Sequence, residues 1–328
     1  MTNFVTRGLT VSAIIIGAVA LVLAAAPWLG NESNKLDRLA AFFPLAIPLT
    51  LLALLLGYRS GKLTILAFLI LMLCLIARVL VPEVRGGFYR TPVAGAQLTL
   101  VTHNVKGFNF DPAGTVRILQ HSGADILLLQ EWGARMEAVR PDLLKTFPYG
   151  ESCGSMELQI FSRYPIQSTH CAPTTIGPAG QMLVWSEIML PGKQTVTVMT
   201  LHPTWRLSKY WRGEGRKALI SFVHKMKPEY LILAGDFNIT PWNQGMRDLD
   251  VGLAPLRRVS RAHFTFPARV RGYAWPIPLL PIDHVFVGPG IENAAVDRLA
   301  RSGSDHYGLR VRLRLRDAVS AKGLGARQ

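Results

Sequence analysis

The chain has 328 residues, of which 49% are hydrophobic and 17% charged, with a formal net charge of +15. That balance excludes a disordered chain, which carries few apolar residues and many charges. The mean hydropathy of +0.25 is high for a wholly water-borne enzyme. The apolar residues are concentrated at the front: no charged residue occurs from Gly8 to Asn31, from Leu39 to Tyr58 or from Leu63 to Ala77. About 20 apolar residues in a helix cross the hydrocarbon core of a bilayer. The runs therefore predict an anchor over residues 1–82 with three transmembrane helices, at about 8–30, 39–58 and 63–81. Arg78 lies near the end of the third run, where its long side chain reaches the interface. Pro27 directly follows the small residues Ala24, Ala25 and Ala26, and two more apolar runs come after it, which favours a retained span over a cleaved signal peptide. Counting Arg7, Arg59 and Lys62 as cytoplasmic by the positive-inside rule, three spans leave everything after Pro82 outside. The expected location is the inner (cytoplasmic) membrane, multi-pass, with the remainder extracytoplasmic, in the periplasm of a bacterium.

Residues 83–96 read as a linker, 97–316 as an ordinary globular domain, and 317–328 as a disordered tail. From Glu83 onward there are 30 basic and 19 acidic residues, a net charge of +11. Such a domain favours anionic partners: nucleic acid, anionic lipid headgroups or phosphorylated metabolites. Cys153 and Cys171 can pair if this part faces an oxidising compartment, and neither has the spacing of a zinc ligand. Strands are predicted over Leu98–Val105, Ile126–Gln130, Glu157–Ser162, Leu183–Leu190, Thr195–Leu201, Tyr230–Asp236, Ile282–Val287 and Leu309–Leu315. Helices are predicted over Pro112–Gln120, behind the capping residue Asp111, and over Leu207–Met226. The last strand alternates Val311, Leu313 and Leu315 with Arg310, Arg312, Arg314 and Arg316, as one buried and one wet face require. Many strands and few helices predict a two-sheet α/β sandwich.

The apolar strands end abruptly in polar residues. Leu100-Val101-Thr102 runs into His103-Asn104, Leu127-Leu128-Leu129 into Gln130-Glu131, Met199-Thr200-Leu201 into His202, and Leu233-Ala234-Gly235 into Asp236-Phe237-Asn238. Ile282-Asp283-His284 opens a strand, and Gly303-Ser304-Asp305-His306 precedes the last one. One aspartate after a strand is usually a turn residue. Six such clusters in one domain point to a ligand site, because strand ends in an α/β sheet converge on one edge. Glu131, Asp236 and Asp305 are hard carboxylate ligands, and Asn104 and Asn238 add neutral oxygens or amide donors. The set suits Mg²⁺ or Mn²⁺. Histidines beside such a metal fit attack of water on a phosphate ester.

The motifs Thr-His-Asn-Val (102–105), Leu-Gln-Glu (129–131), Gly-Asp-Phe-Asn (235–238), Ile-Asp-His-Val-Phe-Val (282–287) and Ser-Asp-His (304–306), in that order, resemble the endonuclease/exonuclease/phosphatase superfamily, whose members include deoxyribonucleases and sphingomyelinases. The resemblance covers about residues 97–316. It implies a four-layer α/β sandwich, two packed mixed sheets flanked by helices, with divalent-metal dependence and hydrolysis of a phosphoester. Carried over by position, Glu131 is the principal metal ligand with Asn104 assisting and Asp305 supporting the metal site. His306 takes a proton from the attacking water or stabilises the charge on phosphorus, and Asp283 orients it. Asp236 and Asn238 align the nucleophile and phosphate, with Asp236 also a candidate for a second metal. His202 donates to a phosphate oxygen, where negative charge grows in the transition state.

Gly150-Glu151-Ser152-Cys153-Gly154 fits the pattern of an esterase nucleophile elbow, but no buried strand precedes it. Arg257, Arg258, Arg261, Arg269 and Arg271 are interleaved with Phe264, Phe266, Tyr273 and Trp275, and Arg206 lies beside Trp205. Arg206, Arg257, Arg258, Arg269, Arg271 and Trp275 are thus candidate substrate contacts. The pattern suits a phosphate backbone with stacked bases and equally a headgroup-binding loop at a membrane. The reading is a membrane-integral, metal-dependent phosphoesterase cleaving a phosphodiester. Nucleic acid is the leading substrate and a phospholipid the rival; a non-catalytic binding protein on the same fold is the third alternative.

Overall fold

The computed structural model describes residues 2–29, 34–57, 68, 72–77, 80–85, 98–153, 157–172, 182–203, 214–226 and 229–316. The chain forms two compact units, Met1–Arg85 with Ile239–Asp248, and Gly86–Asn238 with Leu249–Gln328.

The first unit opens with α1 (Thr2–Leu29). Its segment Arg7–Leu29, 23 residues, is the one helix among the described residues long and apolar enough to cross a membrane. Ala20, Leu23 and Ala24 on this helix are buried against Ala46 and Met72; small residues let helices approach closely. Leu9, Val11, Ile14, Ile15, Val19 and Val22 remain exposed.

The expectation of three transmembrane helices is corrected. The apolar run 39–58 is not one continuous helix. α2 (Asn34–Ala40) ends, a turn follows, and Pro44 sits in a single 3₁₀ turn (Phe43–Leu45) before α3 (Ala46–Gly57). Proline has no N–H and fits the first turn of a helix better than its interior, and Pro44 marks the point where the helix restarts. The apolar stretch Phe43–Gly57 is too short to span; at ~1.5 Å per residue it covers roughly 22 Å of a core about 30 Å thick. Counting apolar residues without weighing the proline produced the error. The run 63–81 lies mostly outside the described residues, as do most of the linker and the whole tail.

Ile239–Asp248, directly after the Gly-Asp-Phe-Asn motif, also belongs to the first unit. The buried Asp37 carboxylate accepts from the Gln244 N–H and from Asn243 Nδ2, both at 3.2 Å, and so acts as a cap for the helix that starts at Gln244. Arg247 donates to the Pro27 carbonyl and lies 5.2 Å from the Trp28 ring, while Trp242 meets Phe43 at 6.0 Å between ring centroids.

The second unit is two six-stranded mixed sheets. In chain order the elements are β1 (Leu98–Asn104), α4 (Pro112–Gln120), β2 (Ile126–Gln130), α5 (Ala134–Glu137), α6 (Arg140–Leu144), β3 (Tyr149–Ser152), β4 (Leu158–Ser162), β5 (Ile166–Cys171), β6 (Leu183–Met189), β7 (Thr195–Leu201), α7 (Arg216–Lys225), β8 (Leu231–Asp236), α8 (Gln244–Gly252), β9 (Arg257–Arg258), β10 (Arg269–Val270), β11 (Tyr273–Ala274), β12 (Asp283–Val287), β13 (Ile291–Arg298) and β14 (Leu309–Leu315). The first sheet runs β13-β14-β1-β2-β4-β3 and the second β5-β6-β7-β8-β12-β9. Side chains alternate across each sheet. Leu98, Leu100, Ile126 and Leu128 therefore face Val196, Val198, Ile232 and Val285 in the core between the sheets. Val101, Leu127 and Leu129 point the other way, onto Val116 and Leu119 of α4 and onto Trp132 and Phe147. Burial of β1 and β2 on both faces explains their runs of Val, Ile and Leu. The strands β3, β5 and β13 went unread because they are short or have a wet face: the exposure of β5 alternates little, and its Gln, Ser, Thr and His residues carry no apolar signal.

β3 and β5 are edge strands of different sheets, and the Cys153–Cys171 disulfide joins them. The bridge closes a loop with a sequence separation of 18, which corresponds to about 3 kcal/mol of stabilisation. Cys153→Ser with Cys171→Ser is expected to lower stability by about that amount in chemical denaturation; an unchanged midpoint in the double variant counts against a stapling role.

Candidate active site

Seven strand termini meet at one edge of the sandwich, and the register shows why. β1 and β2 are parallel, with Asn104 opposite Gln130, and β7 and β8 are parallel, with Leu201 opposite Gly235. Their C-terminal ends therefore lie side by side. β12 is antiparallel to β8 and β14 to β1, so the starts of these strands arrive at the same edge: Asp283 lies opposite Asp236, and Thr102 opposite Leu309. A strand opening in Asp-His belongs to the site as much as a strand ending in one.

The backbone turns sharply there. Lys106, Glu131 and Asn238 all hold positive φ, at 61°, 53° and 52°. Left-handed backbone is costly for residues other than glycine and clusters where function demands it. Gly235 has φ of 154°, and a Cβ there would lie 1.9 Å from the Leu201 carbonyl oxygen; only glycine lets β8 approach β7 so closely. Beneath the site, the buried Gln130 amide donates to Thr102 Oγ1 at 3.1 Å and across the sandwich to Thr200 Oγ1 at 2.9 Å, tying the two sheets together.

Asn104 Nδ2 donates to Glu131 Oε1 at 2.9 Å and to Asp236 Oδ2 at 3.0 Å. Its amide oxygen accepts the Lys106 N–H at 2.9 Å, which sets the orientation of the amide. Asn104 thus bridges two carboxylates with its nitrogen. Gly107 N–H supports the other oxygen of Glu131 at 3.3 Å, and Asn238 N–H donates to Asp236 Oδ1 at 2.8 Å. The Asn238 side chain donates to the Pro203 carbonyl, next to His202, at 3.3 Å. Asp305 is ion-paired with Lys106.

Two carboxylate–histidine pairs face this centre. His306 Nδ1 is 2.9 Å from Asp283 Oδ2, and its Nε2 is 3.7 Å from Asp236 Oδ2. His202 Nδ1 is 2.7 Å from Glu157 Oε1, and its Nε2 is 3.8 Å from Asp236 Oδ2 and 3.7 Å from Glu131 Oε1. Both imidazoles are buried. Burial opposes the charge on His306, but Asp283, Asp236 and Asp305 outweigh it and push its pKa up to about 10. Burial likewise opposes charge on His202, and Glu157, Asp236 and Glu131 outweigh it, so its pKa is raised. Asp236 is raised to about 6, chiefly by burial, with His306 pulling against it. Asp283 is lowered because the facing imidazolium overcomes its burial.

Glu157, Lys106 and Ser304 were missed from sequence. Glu157 stands just before the buried strand β4, antiparallel to β2, so it shows the same signal as the others: a carboxylate at the end of an apolar strand. Ser304 Oγ donates to the Asn104 carbonyl at 2.6 Å and accepts the His306 N–H at 3.0 Å, locking the Ser-Asp-His loop to β1. His103 lies behind His306, with Nε2 3.2 Å from the His306 carbonyl oxygen; burial lowers its pKa to about 4, so it is a neutral support.

The candidate substrate arginines are largely committed elsewhere. Arg258 forms a doubly bonded pair with Asp250 at 2.8 Å and is buried. Arg257 donates to the Ile291 carbonyl at 2.5 Å, and Arg269 to the carbonyls of Ser302 (2.7 Å) and Gly272 (2.9 Å). Arg271 and Trp275 are exposed, and Arg206 lies outside the described residues.

The donor set fits a divalent cation: Glu131 and Asp236 present hard oxygens about one amide nitrogen, among groups that already lack enough positive charge. Asp236, Asp283 and His306 also lie close enough to share an ion, with ligand atoms within 4.8 Å. The hydrogen bond between Asp283 and His306 occupies two of those atoms.

The second unit is thus an α/β sandwich of two mixed sheets with a carboxylate- and histidine-rich edge. The Endonuclease/Exonuclease/phosphatase family model matches residues 101–306, and the chain belongs to that family. Among similar solved structures, an endonuclease/exonuclease/phosphatase from Beutenbergia cavernae DSM 12333 is 19% identical, with a TM-score of 0.50, over 67% of this chain and 72% of that one. A functionally unknown conserved protein from Enterococcus faecalis V583 is 17% identical, with a TM-score of 0.54, over 66% of this chain and 100% of that one. D. rerio TDP2, complexed with a single-strand DNA product, is 17% identical, with a TM-score of 0.51, over 66% of this chain and 98% of that one. These likenesses show the fold. No curated protein sequence matches the chain significantly. Members of the family are in general hydrolytic phosphoesterases, typically dependent on a divalent metal.

Proposed function

We propose that this protein hydrolyses a phosphodiester with the help of Mg²⁺ or Mn²⁺ while anchored to a membrane through α1. The observation that carries the chemistry is the convergence of two carboxylate–histidine pairs on Asp236 Oδ2, with Nε2 atoms at 3.7 and 3.8 Å. Glu131 and Asp236 would hold the cation, which supplies positive charge to the phosphate oxygens when bound. Asp236 aligns the attacking water. His306, kept charged by Asp283, stabilises the negative charge that grows as the water oxygen bonds to phosphorus. The attacking water gives its proton to the Asp236 carboxylate, whose raised pKa suits it as the acceptor, the P–O ester bond breaks, and the leaving oxygen departs as an alkoxide that takes a proton from solvent. His202, held by Glu157, donates to a phosphoryl oxygen.

The length and exposed apolar surface of α1 support a single anchor rather than three spans. The Cys153–Cys171 disulfide supports placement of the catalytic domain in an oxidising, extracytoplasmic compartment. The chemistry is tested with the full chain in detergent and bis(p-nitrophenyl) phosphate as substrate. Chelation with EDTA is expected to abolish hydrolysis and added Mg²⁺ or Mn²⁺ to restore it. Hydrolysis untouched by chelation, or none with any divalent ion, would sink the reading.

A further inference from the structure

From Val251 to Ile282 the chain has no Asp or Glu and five arginines, and from Ala274 to Ile282 every residue is apolar or proline. Soluble domains bury such runs. Here Val270, Tyr273, Trp275, Ile277 and Leu279 are 41%, 81%, 39%, 65% and 47% exposed. Fraying does not explain the exposure, because the segment is pinned by backbone hydrogen bonds at both ends. Trp275 N–H donates to the Ala268 carbonyl at 2.9 Å, Leu279 N–H to the Phe266 carbonyl at 2.7 Å, and Thr265 N–H to the Leu280 carbonyl at 3.1 Å. At its tip, Arg271 and Gly272 hold φ of 50° and 85°, the left-handed pair that a tight hairpin between β10 and β11 requires.

The loop is built onto the site. Ala268 N–H donates to the Asp305 carbonyl at 2.6 Å, and the Phe266 ring lies 5.0 Å from the His306 ring. A Cβ at Gly272 would lie 3.2 Å from the ring of Phe110, itself half-exposed and 5.5 Å from Lys106 Nζ. An apolar rim held rigidly beside a phosphoester site needs an apolar partner.

Nucleic acid is the poorer match. A phosphate backbone needs free cations and stacking platforms, yet Arg258 and Arg269 are spent on internal hydrogen bonds. Val270, Ile277 and Leu279 offer neither charge nor a stacking face. A bilayer surface matches each part: aliphatic tips for the acyl boundary, Trp275 and Tyr273 for the interfacial layer, and exposed Arg271, in a segment with no Asp or Glu, for headgroup phosphate. The same chain carries the apolar helix Arg7–Leu29.

We propose that the loop Val270–Leu280 inserts into a phospholipid surface and that the substrate is a phosphoester of a lipid headgroup, the second half resting on the phosphoesterase reading above. The test uses the full chain reconstituted in vesicles of mixed phosphatidylcholine and phosphatidylglycerol. Ile277→Cys, in a Cys74→Ser background, carries an environment-sensitive fluorophore. Lys193→Cys, exposed in the β6–β7 turn at the far end of β7 from His202, is the control. Quenching by acyl-brominated lipid at position 277 and not at 193 is expected; no quenching at 277, or equal quenching at both, overturns insertion whether or not the protein is active. Ile277→Asp combined with Leu279→Asp is expected to lower headgroup release from the vesicles by at least about tenfold, with hydrolysis of soluble bis(p-nitrophenyl) phosphate within about twofold of the unmutated chain. Unchanged vesicle turnover, or a loss of single-stranded DNA cleavage instead, overturns the lipid assignment. A chain inert toward the soluble diester counts against the phosphoesterase reading, and the quenching result still decides the loop.

Discussion

His306→Ala is expected to lower the turnover of bis(p-nitrophenyl) phosphate by at least about a hundredfold, with KM little changed. His306 is buried, its Nε2 faces Asp236, and its Nδ1 is taken by Asp283. Alanine removes the charge that the growing phosphorane needs and leaves Asp283 buried without a cation. The effect falls on kcat because the interaction strengthens as negative charge grows in the transition state and is weaker with bound substrate. A control separates chemistry from folding: His306→Gln keeps polarity and bulk but not charge, so it should stay folded and remain comparably slow. A rate near that of the unmutated protein in His306→Gln excludes His306 from the reaction.

Asp283→Asn is expected to produce the second large effect, and its size depends on pH. His306 has its pKa raised to about 10, so its share of stability is complete below the unfolded value of 6.5 and is lost as pH rises through about 10. Asp283 has its pKa lowered, so its share is present above the unfolded value of 3.8 and is lost as pH falls through the folded one. Both contributions are whole between those two unfolded values, from 3.8 to 6.5. Because both side chains are buried, breaking the pair costs about 3–5 kcal/mol in that window. The metal-free variant should therefore unfold at lower temperature than the unmutated protein, most clearly in that window, with the gap narrowing toward pH 10. Without Asp283 the imidazole of His306 loses its proton nearer neutrality, so the alkaline limb of the kcat profile should move to lower pH. An alkaline limb that stays in place would show that Asp283 does not hold the charge on His306.

Much of the site was legible because its residues stand where apolar strands stop. Asn104, Glu131, His202 and Asp236 each follow a run of buried aliphatics, and the motif order alone ties them to one family. Glu157 opens its strand without a motif around it, and the antiparallel pairing of β4 with β2 is what brings that strand start to the same edge. The arginines misled for a related reason. Composition shows a charge but not its partner, and Asp250 had to fold against Arg258 before that charge was spent.

The sequence by itself determined the buried strands, the alternating last strand, the helix behind Asp111 and the family, because these depend on local periodicity and on residue types in order. Tertiary structure decided which histidine meets which carboxylate, which way the Asn104 amide faces, and how far each pKa moves, since these depend on distances between segments up to about two hundred residues apart. It also decided that Pro44 breaks the second apolar run and that the loop Val270–Leu280 stays exposed. An apolar run looks the same in sequence whether it is buried, spans a bilayer or faces outward, and only the packing around it tells these apart.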